Sequence, residues 1–129
     1  MADTPTSQRE TIEEYISAYN ALDVERMLSF VHEDVEFQNI THSEVNAIAK
    51  GIDALQKMAE HSKSFFLSRK QSITSFETAG DTVTVGIKFQ AVLAVDMPNG
   101  VKKGNTINLV GRSVFQFKDG KILRITDYS

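Results

Sequence analysis

The chain has 129 residues, 41% of them apolar, and a formal net charge of −3 with both signs mixed along its length. That suits one domain with a sizeable core, and no apolar run approaches the roughly 20 residues needed to cross a bilayer as a helix. Cysteine is absent, which removes disulfides, thiolate metal sites and cysteine nucleophiles, and no basic patch of the kind that follows a phosphate backbone is present.

The first residues, MADTPTSQRE, are polar and contain no apolar signal core, so a cytoplasmic location is expected. Ser7 and Glu10 form an S-x-x-E pattern that predicts a helix start. Ile12, Tyr15, Ile16, Tyr19 and Leu22 follow at helical spacing and predict one buried face. Asp23 is the expected N-cap of a second helix, with Val24, Met27, Leu28 and Val31 turned inward. The period then changes to two: Val35 and Phe37 share a strand face, and Asn39 extends it. Asn39-Ile40-Thr41 matches the N-glycosylation pattern, which carries no weight without a secretion signal.

Residues 40–50 read as an irregular connection with a short helical turn. From Gly51 a third helix is expected, with Ile52, Leu55, Ala59 and Ser62 on one stripe and Phe66 extending it. The rest of the chain reads as strand. SRKQSITSFET is one strand and AGD a turn. In TVTVGIKFQAVLAV, alternate residues from Val83 to Val95 lie on one apolar face. MPNG is a turn, NTINLVGRSVFQF a long strand, and KDGK a tight hairpin, because Asp-Gly suits positive φ. Gly86 and Gly111 sit where long strands would bend. Helices grouped before antiparallel strands imply an α+β layer with helices on one sheet face.

The element order, the block ALDVERMLSFVHEDVEFQN and the closing VFQFKDGKILRITDY together resemble the nuclear transport factor 2-like superfamily, over nearly the whole chain from Thr11 to Ser129. Its members include SnoaL-like polyketide cyclases, ketosteroid isomerase and limonene epoxide hydrolase. The resemblance implies a single SnoaL-like domain over residues 1–129, in which a strongly curved antiparallel sheet forms a cone-shaped barrel packed on three helices.

It also implies where a site would lie. Ketosteroid isomerase pairs an Asp base with an oxyanion hole of a Tyr and a protonated Asp. Tyr15 matches that Tyr, but Asn39 falls at the base position and Ser113 at the acid, so steroid isomerisation is not expected. The epoxide hydrolase carries Tyr-x-Asn on its first strand and an Asp in a terminal DY. Asn39 and Asp127 match these, and Phe37 stands for the Tyr. The buried Arg and second Asp of that enzyme fall near Lys88 and Gln90, or Gln90 and Val92, according to register. Asp127 and Asn39 are therefore the candidate catalytic residues.

Asp127 shares a strand face with Leu123 and Ile125 by alternation, and burial there would raise its pKa. Tyr15, Tyr19, Phe37, Gln90, Ser113 and Phe115 are the candidate ligand-binding residues. Ser113 and Phe115 alternate with Arg112 and Val114, so either pair can face inward. His32 and His61 read as solvated helix residues, and His42 can edge a pocket. The histidines lack metal-ligand spacing, and no phosphate loop, dinucleotide fingerprint or nucleophile elbow is present. Neither a metal nor a cofactor is expected.

Two functions are compatible with this reading. One is a small acid–base enzyme, an isomerase, cyclase or hydrolase, acting on a hydrophobic molecule. The other is a non-catalytic ligand-binding or assembly module with the same cone, since a fold does not determine a function. The expected partners are a small hydrophobic molecule and a second copy of the chain, with no nucleic acid and no membrane. The dimer is expected through the sheet, because apolar residues fall on both strand faces. Val92, Ala94, Val110 and Val114 oppose the inner set, and Ile122 opposes Leu123 and Ile125. Three helices can cover only one face.

Overall fold

Helix α1 runs from Pro5 to Asn20 in the computed structural model of the protein, which describes residues 5–98 and 100–129, with side chains from residue 8 onward. The helix is already formed at Pro5, the first described residue, two residues before the start that Ser7 predicts. The Ser7 side chain lies outside the described residues. Ile12, Tyr15 and Ile16 are buried as the periodicity requires. Asp23 caps α2 (Val24–Leu28), accepting from the Arg26 N–H at 3.1 Å. Val31 is not part of that helix; it opens strand β1 (Val31–Thr41).

The segment expected to be irregular is instead a strand, β2 (Glu44–Lys50), paired antiparallel with β1. Its turn is tight, with His42 at φ 52° and Ser43 at φ 66°. Two positive φ values suit the right-handed twist of a hairpin, but Gly or Asn usually supplies them. Helix α3 (Ile52–Lys63) follows and buries Leu55 and Ala59. Then come β3 (Phe66–Ala79), β4 (Thr82–Leu93), β5 (Thr106–Lys118) and β6 (Lys121–Tyr128). Asp119 and Gly120 take φ 53° and 77° in the β5–β6 turn, as Asp-Gly predicts.

The strands form one curved sheet in the order β2-β1-β6-β5-β4-β3. Neighbours are antiparallel except β1 and β6, which run parallel. The sheet wraps around the helices as an α+β cone and does not close, since β2 and β3 are edges. Both expected glycines serve close approaches. A Cβ on Gly86 would lie 2.5 Å from Ser75 Oγ, opposite a bulge in β3, and one on Gly111 would collide with the Tyr128 carbonyl oxygen.

A second bulge changes the reading of the last strand. Gln116 pairs with Arg124 and Phe117 with Ile122, so Leu123 is the extra residue. Ile122, Ile125 and Asp127 therefore face the concave side, and Ile122 is fully buried. Strict alternation had set Leu123 inward and Ile122 outward. Among the described residues, no helix is long and apolar enough to cross a membrane.

Candidate functional site

The concave face carries its side chains in rows that cross the strands. Phe37 on β1, Ile125 on β6 and Phe115 on β5 are cross-strand neighbours. One step along, so are Asn39, Asp127 and Ser113. Helices α1 and α3 stand above these rows. Between helices and sheet lies a cavity of about 380 Å³, at the small end of the usual range for ligand pockets. Tyr15 and Tyr19 contribute from α1, and Leu55, Met58 and Ala59 from α3.

Ser113 Oγ donates to Asp127 Oδ1 at 2.7 Å. Asp127 is half-buried, and the loss of water around its carboxyl pushes its pKa up to about 6, with the Ser113 hydrogen bond opposing the rise. A carboxyl in this state exchanges a proton near neutral pH. Burial also holds both tyrosine hydroxyls protonated, the Tyr15 pKa being raised mainly by desolvation and then by the nearby Asp127 charge. Tyr15 packs edge-on against Phe115, with ring centroids 6.1 Å apart.

Of the residues singled out from the sequence, Asp127, Asn39, Tyr15, Tyr19, Phe37, Ser113 and Phe115 all line the cavity. Asn39 does not reach Asp127 directly: its Nδ2 donates to Asn46 Oδ1 at 2.8 Å, within a polar chain that continues to Thr41. Gln90 is the exception. On β4 the odd-numbered residues from Val83 to Leu93 face the helices, so Lys88, Gln90 and Val92 all point to the convex side. Gln90 is exposed there, beside Lys70 and Asn108.

The β4 positions to which the resemblance pointed hold no buried arginine, but β3 carries one that the sequence reading did not single out. Arg69 is 4% exposed and lines the cavity, with Gln71 two residues on along the same face. Its Nε donates to the Tyr19 carbonyl oxygen at 2.9 Å, and its guanidinium lies 3.6 Å from the centroid of the Tyr19 ring. Asn20 secures the same junction: its Oδ1 accepts from Gln71 N at 2.7 Å and its Nδ2 donates to Gln71 O at 3.1 Å. The strand reads SRKQS, polar on both faces, so the available signal was Ile73, in phase with Arg69. His61 was also missed as a lining residue; it borders the cavity and packs edge-on against Phe65. His42 sits in the β1–β2 turn away from the cavity, and His32 lies on β1 rather than a helix. Among the described residues, no group of three or more His, Asp or Glu side chains is placed to hold a metal ion.

The geometry has counterparts among known proteins. TsrD from Streptomyces laurentii superposes with a TM-score of 0.80 at 16% identity, over 98% of this chain and 90% of that one. A protein described as a polyketide cyclase from Xanthomonas campestris pv. campestris gives 0.75 at 23% identity, over 96% and 90%. A protein with a ketosteroid isomerase-like fold from Catenulispora acidiphila, solved with trimethylamine, gives 0.76 at 15% identity, over 98% and 87%. No curated protein matches the sequence. At these identities the solved structures speak for the fold alone. The family profile for the SnoaL-like domain matches residues 12–125, from the buried face of α1 to the isoleucine beside Asp127. The chain thus belongs to the SnoaL-like domain family, within the nuclear transport factor 2-like superfamily.

Proposed function

We propose that the protein binds a small hydrophobic molecule in the cone and that Asp127 moves a proton to or from it. The carrying observation is a carboxyl with a pKa near 6, held by Ser113 at the wall of an unfilled, largely apolar cavity. A base of that strength is mostly ionised at neutral pH yet still accepts a proton, which suits abstraction beside a carbonyl group. Tyr15 and Tyr19, held protonated, can donate to the oxygen on which charge develops. Asn39 can orient a substrate oxygen from the next strand. Isomerisation and cyclisation both begin with such a step.

A non-catalytic binding module is the second reading. It is favoured by the Asn39 amide, which is turned to Asn46 and leaves Asp127 with Ser113 as its hydrogen-bond partner. Deuterium exchange at the α-carbons of 2-tetralone in D2O, followed by NMR, separates the two. The enzyme reading expects exchange above the buffer rate, reduced by about 10²–10⁴ in Asp127→Asn. Binding of the ketone without faster exchange favours the module, and equal rates in the two proteins remove Asp127 from any catalytic role.

We also propose a homodimer through the convex face. Val110 there is 80% exposed and Ile48 48%, and Val92 and Val114 share that face. Ile122 no longer supports the dimer, because the β6 bulge turns it into the core. Light scattering coupled to size exclusion should give about twice the 14.4 kDa chain mass at micromolar concentration. A mass near the single-chain value would defeat the dimer.

A further inference from the structure

We infer that Arg69 is an anion subsite of the cavity, so that the ligand is a hydrophobic molecule carrying one ionised oxygen group, such as a carboxylate or an enolate. This rests on the cavity being a ligand site, as proposed above.

The starting point is a cation without a counter-charge. Arg69 is almost fully buried, and among the described residues no carboxylate lies within ion-pair distance of it. Its Nη2 is buried with no hydrogen-bond partner among the described residues. Buried charges are normally paired, and buried donors normally bonded, because each loses its water on folding. What Arg69 has instead is partial compensation: one carbonyl oxygen at the end of α1, the Tyr19 side chain, whose ring lies at 3.6 Å and whose hydroxyl also interacts with the guanidinium, and the Phe66 ring at 5.9 Å. Aromatic faces and a helix C-terminus favour a positive charge, but they leave a donor of the guanidinium unused.

The surroundings say what would use it. Arg69 shares the cavity wall with Leu55, Met58, Phe37 and Phe65, which suit an apolar body. Asp127 lies on the same wall and takes Ser113, not Arg69, as its hydrogen-bond partner. The site thus offers a fixed cation and, separately, a proton-exchanging acid. A ligand anion would complete the guanidinium by a charge-assisted hydrogen bond and would leave the rest of the molecule facing Asp127.

The test uses a matched pair of probes, 2-naphthoate and 2-naphthamide, titrated at pH 7.5 against the intact protein with NMR shifts of cavity residues as the readout. The acid should bind the wild type about tenfold or more tightly than the amide, the scale of one charge-assisted hydrogen bond. Arg69→Met should abolish the preference while leaving amide affinity within about twofold, and Arg69→Lys should restore part of it because the charge returns without the fork. If Arg69→Met fails to fold, the wild-type ratio and the Lys variant decide. A purely architectural arginine would lower the melting temperature of both variants with an unchanged acid-to-amide ratio, and that result overturns the subsite. Equal binding of acid and amide to the wild type also overturns it while the cavity reading survives. Binding of neither probe overturns both.

Discussion

Phe37, Ile125, Phe115 and Val83 form one row across the concave face, and Asn39, Asp127, Ser113 and Val85 form the next. The strands, the curvature and the inward direction are the same. The first row is apolar throughout, with Phe115 and Ile125 each 2% exposed. The second row is polar at three of its four positions and carries the proton-exchanging acid. Both rows border the cavity, and a single step of two residues along each strand turns an apolar wall continuous with the core into a polar wall that carries the acid. The polar row is tolerated because its donors and acceptors find partners in the sheet, Asp127 with Ser113 and Asn39 with Asn46.

The contrast is broken most severely in the apolar row. Phe115→Ala should cost about 3–5 kcal/mol, the usual range for a fully buried aromatic residue. Urea denaturation checks it, and a loss below about 1 kcal/mol would mean that this row is not the core.

Asp127→Asn should act with the opposite sign. The folded-state pKa is about 6, above the ordinary 3.8, so between those pH values the native state holds more protons than the unfolded chain. Stability contributed by the carboxyl is therefore full below the unfolded value and is lost as pH rises through about 6. At pH 8 the asparagine variant should be more stable than wild type by ~1–3 kcal/mol, the lower part being expected because the residue is half-buried and partly screened. Its stability should also vary less between pH 4 and 6. A variant less stable than wild type at pH 8 would show that the ionised carboxyl is held favourably rather than strained.

The smallest effect sharpens the picture. The Ser113 hydroxyl favours the ionised form of Asp127, so Ser113→Ala should raise the Asp127 pKa further, by about one unit or less. Carboxyl 13C chemical shifts followed through a titration would report it. A fall in that pKa would contradict the hydrogen bond as the stabilising contact.

Much of this protein was determined locally. The buried stripes of α1 and α3, the Asp23 cap, the alternating inner face of β4 and the Asp-Gly hairpin each depend on residues within a few positions of one another, and each is present. The two stripes and the β4 face are shorter than expected: Leu22 lies past the end of α1 at positive φ, Phe66 opens β3 rather than extending α3, and Val95 lies past the end of β4. The α+β order, and with it the family resemblance, follows from those elements. Asn39, Asp127 and Tyr15 were placed at the pocket by that resemblance, because their neighbours along the chain carry recognisable spacing.

The rest was decided in three dimensions. Strand β2 was hidden because its turn uses His42 and Ser43 at positive φ, with no glycine to mark it; pairing with β1 supplies what local propensity does not. Period two says which residues share a face but not which face turns inward, and a bulge resets the phase. Leu123 shows the second effect, Ile122 taking the inward place that alternation assigned to its neighbour. Gln90 and Arg69 show the first. Gln90 was assigned to the pocket from an uncertain register, whereas the apolar alternation of β4 required it to face out once the helices chose their side. Arg69 lies in a stretch polar on both faces, so hydrophobicity orients it only through Ile73, four residues further along. Only its partners across the sheet, and the end of α1 packed above it, bring that charge inside.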